Sequence, residues 1–379
     1  MFSTDDLAAQ VAASDENLES SPGRRAKSFS WKRVVWSVLV TVLILAPAIV
    51  YVEFSVTYPF GLGISVHQNS VLAQGSGTRE ASAFELSAAT IPRNEIFAGG
   101  PPKDGIPALT NPKLIAAKEA RYLNRDDRVI GFVRGQESRA YPLAILNHHE
   151  IVNDSVGEVP IAVTYCPLCD SAAVFDRRTP LGQRDFGVSG LLYNSNVLMY
   201  DRGGQPESLW SQIKTTGISG PGANQALKAL PVELTTWSEW TKRHPESTVL
   251  SPQTGHQRDY SRDPYAGYFD RPELMFPATP ASDRLPTKER VLGVWSGKTF
   301  RAYPQSAFSS KKPRADELID GKRILVEFDP ASRSMRVARA EKGIEWMYSL
   351  WFAWYAFHPE TEVFVGEKTS VRNSGSPGR

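Results

Sequence analysis

Apolar residues along this chain fall into short runs, each closed by glycine, proline or small polar residues, and many alternate with the period of two that belongs to strands. Residues 129–133 and 138–141 flank Arg134-Gly135 and predict a hairpin. Residues 143–150 predict one or two helical turns, and the apolar runs 161–165 and 172–175 predict strands. Between 187 and 201, turn and strand signals alternate. Residues 235–243 predict a short helix with Trp237 and Trp240 on one face. The stretch 253–286 is rich in Pro, Asp and Tyr and predicts a connector. A βαβ rhythm is absent, so the expected class is a β-rich α+β fold.

The pattern is written twice. Ile161-Ala-Val-Thr-Tyr-Cys-Pro-Leu-Cys-Asp-Ser-Ala-Ala-Val174 aligns without a gap on Ile324-Leu-Val-Glu-Phe-Asp-Pro-Ala-Ser-Arg-Ser-Met-Arg-Val337. Upstream, the segment from Arg128 to Arg139-Ala-Tyr-Pro142 matches the segment from Arg290 to Arg301-Ala-Tyr-Pro304. Downstream, Trp237-Ser-Glu-Trp240 with His244-Pro-Glu246 recurs as Trp351-Phe-Ala-Trp354 with His358-Pro-Glu360. Three anchors in one order predict two diverged copies of a strand-rich unit with short helices, 91–252 and 287–365. The second is shorter, lacking most of what the first carries between Asp176 and Pro231.

Outside the copies, residues 34–52 form a run of nineteen without a charge, about the length that crosses a bilayer core of roughly 30 Å as a helix. Arg24, Arg25, Lys27, Lys32 and Arg33 precede it. The positive-inside rule then predicts a disordered cytoplasmic tail (1–33), a membrane helix, a stalk (53–90), and an extracytoplasmic body that is periplasmic or on the cell surface. The competing reading is a cleaved signal peptide. A second disordered tail is expected at 366–379. The formal net charge of +2 in 379 residues argues against a nucleic-acid partner.

Chemistry concentrates where the copies differ. Cys166-Pro-Leu-Cys169 holds both cysteines of the chain, and the second copy has Asp329-Pro-Ala-Ser332 there. The turn therefore forms without thiols. A Cys-x-x-Cys pair suits dithiol–disulfide exchange, a soft metal ion, or a fixed disulfide stapling the turn. In an extracytoplasmic compartment, oxidation is permitted. His148, His149 and Glu150 come just before the strands that deliver the cysteines, and the second copy has no matching histidine. One hairpin, reversing at Val156-Gly-Glu158, would return the chain beside its start and set His149 near the sulfurs. His244 and His358, being duplicated, are expected to serve packing or a helix end. Asn153, Asp154, Tyr193, Asn194 and Asn196 are polar groups among apolar strands, expected to line a pocket or to make Asx-type turns.

Arg139-Ala-Tyr-Pro-Leu, Asn147 through Asp154, Val163-Thr-Tyr-Cys-Pro-Leu-Cys, Phe186-Gly-Val-Ser-Gly-Leu-Leu-Tyr-Asn-Ser-Asn, Leu209-Trp-Ser-Gln and Leu230-Pro-Val-Glu together resemble the prokaryotic domain-of-unknown-function family three-one-seven-nine. The resemblance spans about 91–364 and implies an exported or membrane-attached domain with Cys-Pro-x-Cys as its hallmark. It brings no established activity. Members often read Asn-Trp-His-Glu where this chain has Asn147-His-His-Glu150, so His149 holds the matching position. Three functions follow as expectations. The first is a copper or zinc site of Cys166, Cys169, His149 and Glu150. The second is a thiol–disulfide oxidoreductase with Cys166 attacking. The third is a non-catalytic binding or scaffolding domain stapled by a Cys166–Cys169 disulfide.

Overall fold

Strands form where the period-two runs lie. The computed structural model describes residues 83–366. The expected cytoplasmic tail, membrane segment, most of the stalk and residues 367–379 lie outside the described residues. Among the described residues, no helix is long and apolar enough to cross a membrane. The body is strand-rich, with three short α-helices, Leu143–His149, Trp237–Arg243 and Trp351–Phe357. The β-rich α+β class is what the patterning predicts.

The predicted hairpin is Arg128–Arg134 against Glu137–Pro142, turned at Gly135 with φ +60°. Glu233–Thr236 pairs antiparallel with its first strand, and Thr248–Leu250 pairs parallel with its second. Later in the chain, Arg290–Ser296 pairs with Thr299–Pro304. Glu345–Leu350 then pairs antiparallel with the first of these strands, and Glu362–Val363 parallel with the second. Order and sense are the same in both sets. Each set also has a three-stranded meander. One is Ile151–Val156, Val159–Cys166 and Ser171–Asp176; the other is Arg314–Ile319, Lys322–Asp329 and Ser334–Ala340. Their last strands pair in one register at the turn, with Cys166 opposite Ser171 and Asp329 opposite Ser334.

The sheets are not separate. The first meander continues, through Ala172 opposite Tyr348, into the sheet of the second set, giving a nine-stranded sheet. The second meander lies by the first set, where the Thr235 and Ser334 hydroxyls are 3.1 Å apart. Large apolar clusters draw residues from both sets, among them Tyr141, Tyr303, Leu292 and Val163.

The recurring sequence anchors have mechanical roles. In each Arg-Ala-Tyr-Pro segment, the Arg and Tyr are two apart, so they project from one face of the strand. They meet on one carboxylate from the first meander strand. Arg139 and Tyr141 bond Asp154 at 2.7 and 2.8 Å, and Arg301 and Tyr303 bond Glu317 at 2.9 and 3.0 Å. In each Trp-x-x-Trp helix, the second indole lies over a strand glycine, Trp240 over Gly131 and Trp354 over Gly293. Its N–H donates to Ser247 at 2.9 Å or Thr361 at 3.0 Å. The following His packs tilted against that indole, with centroids 4.2 Å apart for His244 and 4.4 Å for His358. His-Pro ends the helix because the residue before proline is pushed out of the helical region.

A methyl group at either glycine would overlap the indole, which has no room to retreat because both tryptophans are fully buried. Gly131→Ala and Gly293→Ala are each expected to cost about 1–3 kcal/mol or more of folding stability through overpacking. Denaturant unfolding of each variant measures this, and an unchanged midpoint for both would contradict the account.

Candidate functional site

Cys166 ends a strand buried along its whole length. Pro167–Cys169 form one 3-10 turn, and Asp170 closes it in the left-handed region at φ +46°. Arg333 does the same at φ +52° in the second turn. Cys169 leads into the strand Ser171–Asp176, not a helix, so no helix N-terminus activates either thiol. The second turn satisfies its own backbone. Asp329 accepts from the N–H groups of Ala331 at 3.2 Å and Ser332 at 3.0 Å, and from the Ser332 hydroxyl. Cysteine replaces that Asx cap and that serine in the first turn.

Both cysteines are free thiols and buried. Cys169 faces polar groups. The Asn196 amide donates to its Sγ at 3.3 Å, and Ser171 Oγ lies 3.2 Å away. Behind them, Asn196 Nδ2 and Ser171 Oγ both donate to Gln212 Oε1, at 2.7 and 2.5 Å, and Gln212 Nε2 donates to Thr164 at 2.9 Å. Cys166 Sγ lies 3.7 Å from the Ser195 carbonyl. Burial drives the Cys166 thiol well above the usual range, and the neighbouring Cys169 and Glu150 push it further. Burial also pushes Cys169 upward, but hydrogen bonds with the Cys166 thiol, Ser171 and Asn196 outweigh it and bring Cys169 below the ordinary thiol value. Cys169 is thus the sulfur suited to carry charge, whereas the sequence pointed to Cys166 as the attacker.

The hairpin does return the chain to the helix end, since Tyr165 N–H donates to Glu150 O at 2.8 Å. It brings Glu150 toward Cys166. The His149 ring is engaged elsewhere, with Nδ1 2.7 Å from Pro107 O and Nε2 2.7 Å from the Tyr260 hydroxyl. Among the described residues, no group of three or more His, Cys, Asp or Glu is placed to hold a metal ion. Among the described residues, Cys166, Cys169, His149 and Glu150 are thus not grouped as a copper or zinc ligand set, and both nitrogens of His149 have protein partners. Glu150 itself is 7% exposed, and its carboxyl makes no hydrogen bond among the described residues. Burial alone raises its pKa to about 8.

Of the other polar residues singled out, only Asn196 reaches sulfur. Asn153 clasps the Phe186 backbone, donating to its carbonyl and accepting from its N–H, both at 2.8 Å. Asp154 holds Arg139 and Tyr141. Asn194, at φ +50°, accepts from Thr279 N–H at 3.0 Å. Tyr193 packs edge-on against Phe357. Sequence reasoning missed Ser171, Gln212 and two connector tyrosines. Tyr268 donates to Leu168 O at 2.9 Å, and burial raises the hydroxyl pKa of Tyr265, with Glu150 and Cys166 adding to it. Asn196 and Gln212 both lie in the stretch between Asp176 and Pro231, which has no counterpart in the later matching segments, and that was the available signal.

Asp170 is the other charged member. Its buried carboxylate takes Arg128 on one oxygen and Arg290 on the other, both at 2.8 Å, and Tyr165 donates to it at 2.8 Å. Burial alone would raise this carboxyl, and the two guanidiniums reverse the direction, holding it below the usual range.

The raised Glu150 value fixes a pH dependence. An unfolded chain ionises this carboxyl from about 4.5, whereas the folded one keeps its proton to about 8. The folded state therefore binds more protons in that window, and Glu150 lowers stability as pH rises through it. His149, held down to about 4 chiefly by burial, acts with the opposite slope between about 4 and 6.5. Glu150→Gln is expected to unfold with the same free energy as the parent near pH 4.5 and to be more stable by a few kcal/mol above pH 8. Parallel unfolding curves at all pH values would rule this out.

A family model described as protein of unknown function (DUF3179) matches residues 103–348. No curated protein and no solved structure matches the chain. The match covers the cysteine turn, its sulfur-facing network and the second meander, so the chain belongs to this family of unknown function.

Proposed function

We propose that this chain is a membrane-anchored, extracytoplasmic protein whose Cys166–Cys169 pair performs thiol–disulfide exchange, and that its body arose by duplication of one unit. The uncharged run 34–52 with basic residues before it supports the anchor, and an oxidising compartment suits the pair. The shared pairing order of the two strand sets, and their matching Arg–Tyr–carboxylate and Trp–Gly contacts, support the duplication.

One observation carries the exchange reading: the hydrogen-bond donors aimed at Cys169. A fixed staple needs no such donors, because a disulfide sulfur is a poor acceptor, whereas a thiolate is stabilised by them. The Asn196 amide comes from the segment that only the first copy has, so the first copy adds both the sulfurs and the group that stabilises charge on one of them. Stabilising the reduced form makes a pair oxidising. In the exchange, a substrate thiolate attacks Cys166 sulfur in the disulfide, and the S–S bond breaks with Cys169 leaving as thiolate. A second substrate thiolate attacks the mixed disulfide at the substrate sulfur, and Cys166 leaves, taking a proton from Glu150. The substrate dithiol is oxidised by two electrons and the pair is reduced by two. Glu150, with a pKa of about 8, can give and regain that proton near neutrality. Tyr268 and Tyr265 cover the turn, so exchange requires the connector to part from Leu168.

Equilibration of the full chain in glutathione buffers tests the reading. The pair is expected to have a reduction potential above about −300 mV, the region of structural disulfides. Asn196→Ala is expected to lower it by about 30–60 mV, the equivalent of one charge-assisted hydrogen bond. A disulfide that resists glutathione, or a potential unmoved by Asn196→Ala, would leave the staple as the function of the cysteines. Stoichiometric copper or zinc in the purified protein would redirect the reading to a metal site.

A further inference from the structure

Between the two Pro-containing turns lies a cavity of about 190 Å³ that takes no part in the sulfur chemistry. Asp170 lines it from the first turn, and Ser332, Arg333 and Ser334 from the second; Arg128 and Arg290 line it from equivalent positions at the starts of the two hairpins. Three arginines therefore line a cavity that holds one carboxylate. Asp170 engages Arg128 through a single terminal nitrogen and Arg290 through Nε. Each guanidinium has five N–H donors, so most remain available. The Arg128 and Arg290 side chains are 29% and 45% exposed, which leaves those donors within reach of solvent. Arg333 sits at a turn tip and has no ion pair among the described residues. On the cavity wall, the hydroxyls of Ser332 and Ser334 are 2.8 Å apart.

We infer that this cavity binds a small tetrahedral oxyanion, a phosphate or a compact phosphate monoester. Guanidiniums present planar forks to phosphate and carboxylate alike. A carboxylate presents its lone pairs in one plane, whereas a tetrahedral ion offers edges in three dimensions to the forks and an oxygen to the Ser334 hydroxyl. The volume falls below the roughly 300–1,000 Å³ of pockets that take drug-sized ligands, so a nucleotide is too large. The inference is independent of the thiol reading, since none of the lining groups touches sulfur.

Calorimetric titration of the full chain in detergent provides the test, with inorganic phosphate, glycerol phosphate and acetate as separate titrants. Saturable binding of phosphate or glycerol phosphate is expected, with acetate giving none. The tighter of the two phosphates assigns the site to the free ion or to the ester. Arg333→Asn keeps a residue that tolerates the left-handed region and removes one fork. It is expected to weaken binding about ten-fold, the loss of one charge-assisted contact. Arg290→Gln is expected to weaken it likewise, with an unfolding curve checking that the variant is intact. Absence of saturable phosphate heat in the parent protein, equal affinity in Arg333→Asn, or acetate binding as tightly as phosphate would each overturn the inference.

Discussion

Much of the architecture converges on the buried carboxylate of Asp170. It follows the second cysteine directly and is held by Arg128 from the first hairpin and Arg290 from the second. An isolated charge at such a depth would be prohibitive, and removing one partner of a buried pair typically costs about 3–5 kcal/mol. Asp170 is therefore buried only because two guanidiniums, themselves partly exposed, reach it. Two distant stretches of chain are thereby tied to one turn. The meander that carries the cysteines also joins the sheet of the other strand set next to this point. The sulfurs thus sit on a scaffold with little freedom to shift.

The same economy explains why particular residue types recur. Arg-Ala-Tyr-Pro, a recurring anchor in sequence, sets a cation and a phenol two residues apart. In space it is a clamp: both side chains close on a carboxylate from the neighbouring meander, Asp154 in one place and Glu317 in the other. Trp-x-x-Trp with His-Pro is likewise a plug, an indole pressed on a glycine and backed by the imidazole. These contacts hold hairpin, meander and helix in the same relation in both strand sets, and their residues are accounted for without invoking a reaction.

The hairpin, the short helices, the connector and the strand-rich class were all legible, because each follows from local periodicity, turn residues and a pre-proline stop. The helix end near the cysteines was legible too, since one hairpin must bring the chain back. What could not be read was which side chain would arrive. His149 and Glu150 are adjacent, and a helix that ends between them sends them in different directions: the ring to Pro107 and Tyr260, the carboxyl toward Cys166. Gln212 was equally hidden. It lies 41 residues from Ser171, and only the folded sheet puts it behind the sulfur. The role of Asp170 gave no signal of its own, because the arginines that hold it lie 42 and 120 residues away.

Comparison of the two turns also bears on what the cysteines are for. At equivalent positions, the second turn uses an Asx cap and a serine, which satisfy the local backbone with ordinary hydrogen bonds. A thiol is a weaker acceptor than a carboxylate, so replacing Asp and Ser by two cysteines removes local support from the turn. In the first turn the compensating groups face the sulfur rather than the backbone, and the one that donates most directly, Asn196, comes from the long segment between Asp176 and Pro231 that the second set lacks. If the cysteines only closed a turn, the cap already in use at the second would have sufficed, and no donor would be directed at Cys169. A segment that builds an amide network around one sulfur, beside a carboxyl whose proton is held to about pH 8, supports the proposed thiol–disulfide exchange over a plain staple.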